Sequence, residues 1–151
     1  GNTDDLGYLK RGVTSYTDPD VKIGEKYRYW KSGTLQKGKL LKNMSTPLSG
    51  SRKGTIYLDK DGYLQTNIWW CFQDQNNKND TWYYFWKDGL ARCDSFARIN
   101  GNIYHFDAEG HMEHDKWVYM DYGYDFGFEG YMYFKNVNDG SARKAYQKMK
   151  G

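Results

Sequence analysis

The stretch TWYYFWKDGLA, Thr81–Ala91, carries a pattern that the chain repeats: an aromatic run, a charged turn closed by glycine, then a small apolar group. Further copies are GTIYLDKDGYL (Gly54–Leu64), GNIYHFDAEGHM (Gly101–Met112) and, with two extra turn residues, GYMYFKNVNDGSA (Gly130–Ala142). KYRYWKSGTL (Lys26–Leu35) is a worn copy. Aligned on Trp30, Leu58, Phe85, Phe106 and Phe134, the copies step by 28, 27, 21 and 28 residues, and Gly33, Gly62, Gly89, Gly110 and Gly140 keep pace. A period of this size marks an array of stacked units rather than one closed core. Seven residues after three of these glycines a second run begins: Trp69–Phe72, Phe96–Ile99 and Trp117–Met120. Each unit therefore reads as two short aromatic strands joined by a turn.

The apolar content supports strands. Tyr, Trp and Phe supply 28 of the 151 residues, and 17 glycines stand against 2 prolines. Aromatic rings suit a pleated, half-buried surface, and glycine suits frequent tight turns, so the fold class expected is all-β. In the strands after the turn-bearing loops, Ile56/Leu58, Tyr83/Phe85, Tyr104/Phe106 and Met132/Phe134 form the inward row by alternation. Trp70/Phe72, Ala97/Ile99 and Val118/Met120 do the same in the partner strands. The opposite face then carries Trp69, Phe96 and Trp117, with Tyr57, Trp82/Tyr84, Ile103/His105 and Tyr131/Tyr133. Asn100-Gly101 is a two-residue hairpin signal, and Gln73–Asp80 is a longer polar loop in the same place. Residues 1–25 read as an irregular cap, and the polar run Ser45–Lys53 marks a boundary. The expected division is 1–53, a cap with a divergent hairpin, and 54–151, the regular repeats. The last residues, Ala142–Gly151, read as a final strand or a short helix.

Charge argues against some partners. The net charge is +3, with 22 basic and 19 acidic residues interspersed, so neither nucleic acid nor an anionic membrane is indicated. There is no apolar run of about 18 residues to span a membrane. The chain opens on Gly1 with no export signal, so such a signal and further domains are expected outside this sequence. Cys71 and Cys93 sit about five residues out of repeat register, roughly 16 Å at ~3.3 Å per residue. That exceeds the ~7 Å reach of a disulfide, which predicts two free thiols.

The aromatic strands and turn glycines resemble the choline-binding and glucan-binding cell-wall repeats of bacterial surface proteins. The match rests on TWYYFWKDGLA, FARINGNIYHFDAEGHM and WVYM followed by GYMYF, covers roughly Gly54–Gly140 and weakens upstream. It departs at the family's Thr-Gly-Trp junction, where Asn67-Ile68-Trp69, Asp94-Ser95-Phe96 and Asp115-Lys116-Trp117 stand instead. The resemblance implies a β-hairpin solenoid of cell-wall-binding repeats with an irregular N-terminal cap. It also implies a secreted or surface-attached bacterial protein whose partner is teichoic acid choline, a glucan or another polysaccharide. A homodimer is compatible with such a module. Carried over by position, the ligand-binding rings are Trp69, Trp82, Tyr84, Phe96, Trp117, Tyr131 and Tyr133, with His105 at an equivalent strand position. Rings attract a quaternary ammonium by about 0.5–2 kcal/mol each, and the same rings stack on a pyranose. The first site to consider groups Trp69 and Phe96 with Trp82 and Tyr84. The alternative is that all these rings pack between hairpins and the chain is a structural spacer or protein-interaction stalk.

Enzyme motifs do not appear. His111-Met112-Glu113-His114-Asp115 raises a metal reading, but it follows a turn, lies on no helix and has no second acidic or Cys cluster nearby. Asp59-Lys60-Asp61-Gly62 shares only its first residues with a calcium loop and reads as a hairpin turn. No Ser-centred elbow, phosphate loop or Cys/His pair is present, so no catalytic residue, cofactor or metal is expected.

Overall fold

The computed structural model describes residues 9–11, 27–72, 80–121, 126–137 and 139–147, with backbone alone for 9–11 and 142–147. These residues form strands and no helix: β1 (Leu9–Arg11), β2 (Tyr27–Lys31), β3 (Thr34–Leu35), β4 (Lys39–Met44), β5 (Gly54–Leu58) and β6 (Ile68–Phe72), then β7 (Thr81–Phe85), β8 (Ser95–Ile99), β9 (Asn102–Phe106), β10 (Lys116–Met120), β11 (Gly130–Phe134) and β12 (Ala142–Gln147). Strand pairing follows chain order in the sheets β1-β2-β3, β4-β5, β6-β7, β8-β9 and β10-β11-β12. This is an all-β hairpin-repeat fold. It forms two compact units, one of Gly1–Trp69 with Phe85–Ala91 and the other of Trp70–Tyr84 with Arg92–Gly151.

The turns form where the sequence places glycine, Asn or Asp. Asn100 and Gly101 both have positive φ, 51° and 84°, which gives the two-residue turn whose twist matches that of the flanking strands. After β5 and β9 a different turn recurs. The Asp59 carboxylate accepts the N–H groups of Asp61 and Tyr63, and the Asp107 carboxylate accepts those of Glu109 and His111. These are Asx-type bonds that hold the turn. Leu64, Ala91 and Met112, just past their turns, bridge back to Leu58, Phe85 and Phe106.

A second left-handed position recurs five residues after each of four turn glycines: Gly38, Asn67, Asp94 and Asp115 have φ of 60°, 54°, 46° and 55°. Each directly precedes β4, β6, β8 or β10. Its N–H donates to the carbonyl of Asp59, Trp86, Asp107 or Lys135, which opens the next turn. Asn and Asp tolerate this conformation because their short polar side chains bond locally. The left-handed residue lies two positions before each of the junction aromatics Trp69, Phe96 and Trp117.

Alternation sets the cores. In the first unit Tyr27, Tyr29, Ile56, Leu58, Leu64 and Leu90 pack together, with Leu41 and Met44 against them. In the second, Met120, Met132 and Phe134 are covered by Phe96, Ile103, Val118, Phe126 and Phe128. Ile56, Leu58, Phe85, Phe106 and Phe134 are fully buried, as the inward row requires, while Tyr104 is half-buried.

Several expectations change. Tyr57, placed on the outward face by alternation, is buried and stacks on Phe85 with ring centroids 6.2 Å apart. The irregular cap contains β1, which pairs antiparallel with β2 and so covers an aromatic strand edge that would otherwise lie open. Lys26–Asn43 is more than one hairpin: β2 pairs with β3, while β4 pairs with β5 across the polar run 45–53. β12 is the final strand, antiparallel to β11. Residues 73–79 of the polar loop lie outside the described residues. Both cysteines are free.

The turn glycines also seat the stacked repeats. A Cβ on Gly89 (φ 84°) would lie 2.8 Å from Leu64 Cδ2, and one on Gly62 would lie 3.0 Å from Leu35 Cδ1. Gly101 has the same φ of 84° and nothing within 4 Å. Gly101→Ala should therefore cost only backbone strain, about 1–2 kcal/mol. Gly89→Ala should lose about 1–3 kcal/mol more through overpacking against buried Leu64. Urea denaturation of the two variants measures the difference, and equal losses would show that the Gly89–Leu64 contact does not govern stacking.

Candidate functional site

The clearest outward aromatic surface lies on the β10–β11 hairpin. The register pairs Trp117 with Tyr133, Val118 with Met132 and Tyr119 with Tyr131. Successive side chains alternate across a strand, so Trp117, Tyr119, Tyr131 and Tyr133 share one face while Val118, Met120, Met132 and Phe134 take the other. The second set is the core of this unit. On the first face Trp117 meets Tyr133 with centroids 5.3 Å apart and planes at 63°, and Tyr119 meets Tyr131 at 4.9 Å and 64°. Such edge-to-face pairs hold each other in place and leave ring surface outward. Trp117 is 44% exposed and Tyr131 50%, unusual for rings of this size.

Three of these four rings were expected from sequence. Tyr119 was missed, although its place two residues after Trp117 on a strand of period two was the signal. Trp82 and Tyr84 share a face of β7 and are half-buried, and Trp69 is half-buried on β6 in the other unit. Burial raises the Tyr84 hydroxyl, while the positive charge of Arg92 pulls it down. The Arg92 N–H donates to the Tyr84 carbonyl at 2.9 Å, and its guanidinium donates to that of Phe96 at 3.4 Å.

Phe96 departs from its expected outward role. Its ring lies 4.4 Å from His105, its cross-strand partner, 6.2 Å from Phe134 and 6.4 Å from Phe126. It is half-buried against the Met120/Met132/Phe134 cluster, so its neighbours are packing partners. The cause is stacking: a ring outward on its own hairpin can still be covered by the next one.

The histidines have side-chain partners of their own. His111 Nε2 and the Tyr83 hydroxyl share a 2.8 Å hydrogen bond, while its Nδ1 lies 3.8 Å from Asp107 and 3.7 Å from Glu109. His114 pairs with Asp115 at 2.7 Å. With Asp80 and Lys116 they border a cleft of about 400 Å³. Among the described residues no three His, Cys, Asp or Glu side chains converge to hold a metal ion. Burial, then the charge of Asp80, raises the Cys71 thiol.

His105 is a half-buried titratable group of this region. Its Nδ1 lies 3.2 Å from Glu113, whose other oxygen holds Lys116. Burial among Phe96 and Phe134 lowers its pKa and outweighs the opposing pull of Glu113. Because the folded-state value is depressed, the unfolded chain takes up this proton first as pH falls through about 6.5. The contribution of His105 to stability is therefore present above that pH and lost below it. Unfolding free energies at pH 7.5 and 5 should fall more on acidification for the parent than for His105→Phe, which cannot titrate. An equal fall in both proteins would show that His105 is not the group responsible.

No family model matches the chain, and no curated protein sequence does. Solved structures do match. Truncated alternansucrase from Leuconostoc mesenteroides is 26% identical with a TM-score of 0.53, over 83% of this chain and 10% of that one. Alternansucrase in complex with isomaltotriose is 27% identical with a TM-score of 0.54, over 84% and 10%. The choline-binding domain of CbpL from Streptococcus pneumoniae is 26% identical with a TM-score of 0.50, over 84% of this chain and 56% of that one. The chain thus spans about a tenth of alternansucrase and little more than half of the CbpL domain. The repeated aromatic hairpins and these likenesses together make the chain a run of hairpin repeats similar to those of the CbpL choline-binding domain and of alternansucrase.

Proposed function

We propose that this chain is a non-catalytic binding module that attaches its parent protein to a cell-wall polymer or an extracellular glucan at a bacterial surface. The observation that carries this reading is the β10–β11 face, where Trp117, Tyr119, Tyr131 and Tyr133 stand in two edge-to-face pairs above a closed core. Rings so placed are flat enough for a pyranose and electron-rich enough for a quaternary ammonium. The likenesses to a choline-binding domain and to alternansucrase in complex with isomaltotriose support these two ligand classes. The regular repeats from residue 54 onward are assigned the binding, with Trp69, Trp82 and Tyr84 as further contact rings. No helix among the described residues is long and apolar enough to cross a membrane. Chemistry, where the parent protein has any, is assigned outside these 151 residues.

Stacking on one ring contributes about 1–3 kcal/mol, by analogy with bases on aromatic side chains. Trp117→Ala and Tyr131→Ala should therefore each weaken binding about five- to a hundredfold. The measurements are isomaltotriose titration and retention on insoluble glucan and on a choline resin, with near-UV circular dichroism as the folding control. Loss on glucan alone or on choline alone names the ligand. Folded variants that bind like the parent would mark the rings as packing and leave the spacer reading in place.

A further inference from the structure

Arg52 and Asp88 lie 36 residues apart in sequence, yet their side chains meet. Asp88 is the one acidic residue among the buried polar residues described, its side chain 2% exposed. One carboxylate oxygen accepts the Leu90 N–H at 2.9 Å, the other accepts Arg52 Nη2, and the Asp88 carbonyl accepts the Thr46 hydroxyl at 2.7 Å. The Arg52 backbone is fixed as well: its N–H donates to Ser49 O at 3.2 Å and its carbonyl accepts Ser49 Oγ at 2.9 Å. Anchored at both ends, the Arg52 side chain still leaves 57% of its surface exposed. Its guanidinium carbon stands 5.6 Å from the Trp86 ring centroid, and Lys87 Nζ stands 4.7 Å from the same ring.

Asp88 neutralises Arg52, which leaves the charge of Lys87 in excess. Among the described residues Lys87 meets no carboxylate, and the guanidinium donors of Arg52 other than Nη2 meet no acceptor. A buried carboxylate thus holds an arginine fork in place beside an indole and a second cation. Preorganised guanidinium donors with an ammonium nearby suit phosphate or carboxylate oxygens. They repel a quaternary ammonium from the ring it would otherwise seek.

We propose that Arg52, Trp86 and Lys87 form a seat for an anionic group, phosphate or carboxylate, carried on a saccharide, with the indole as apolar surface beside it. The saccharide half of this proposal rests on the polymer-binding reading above, and the anionic half stands on the geometry alone. The experiment follows the Trp86 indole N–H resonance during titration with glucose 6-phosphate, glucuronate, glucose and choline. Both or either of the anionic sugars should shift it saturably, and the stronger of the two names the anion, while glucose and choline leave it in place. Lys87→Gln, at an exposed position, should weaken that binding by roughly five- to tenfold and flatten its salt dependence. Arg52→Lys keeps a positive charge for buried Asp88 but loses the fork, and should weaken binding even when Lys87 is intact. The proposal is overturned if neither anionic sugar moves the Trp86 resonance, or if both variants bind like the parent. Glucan retention of the parent on the same samples reports separately on the polymer-binding reading.

Discussion

One backbone carbonyl per repeat holds this fold in register. The carbonyls of Asp59, Trp86 and Asp107 each accept two N–H groups, one from the turn glycine three residues on and one from the left-handed residue that ends the preceding connection. A carbonyl oxygen has two lone pairs, so both bonds can be full ones. The first bond closes a turn, and the second ties that turn to the strand start before it. In the fourth copy the turn is two residues longer and the duties separate: Lys135 takes the bond from Asp115, while Asn136 takes that from Gly140. These bonds lie within one hairpin, so the backbone frames each repeat and the side chains pack around that frame.

That division of labour explains why the same aromatic pattern yields different faces. Phe85, Phe106 and Phe134 occupy equivalent inward positions and are fully buried. The rings expected on the outward face have no such common fate. Tyr57 is covered by Phe85 and Phe96 by Phe134, whereas Trp117 and Tyr131 lie open on β10 and β11. Covering depends on what the next hairpin presents, and the sequence varies most at those positions. A ring count therefore overstates the number of binding positions.

The repeats, the all-strand character, the Asn100-Gly101 turn and the inward row could all be read in the sequence, because each depends on spacing within one strand or one turn. The left-handed junctions at Asn67, Asp94 and Asp115 were harder to read, since glycine is the usual mark of positive φ and these positions use Asn and Asp instead. Tyr119 satisfied the outward test but attracts notice only once its partner across the hairpin is known to be Tyr131. The covering of Phe96 and the pairing of Arg52 with Asp88 depend on contacts between segments far apart in sequence, to which no local period points.

The inequality of the repeats bears on how such a module holds a polymer. Two ring stacks of about 1–3 kcal/mol each correspond to weak, millimolar-to-micromolar binding at one position. Linked sites gain through effective concentration without any new contact. Here Trp86 is flanked by two cations, Phe96 is packed and Trp117 with Tyr131 is open, so the positions differ in the group each would accept. A polymer engages several unlike sites at once only if it offers unlike groups along its length. On the polymer-binding proposal, avidity would therefore select for polymer composition as well as length, which an array of equal rings would not do.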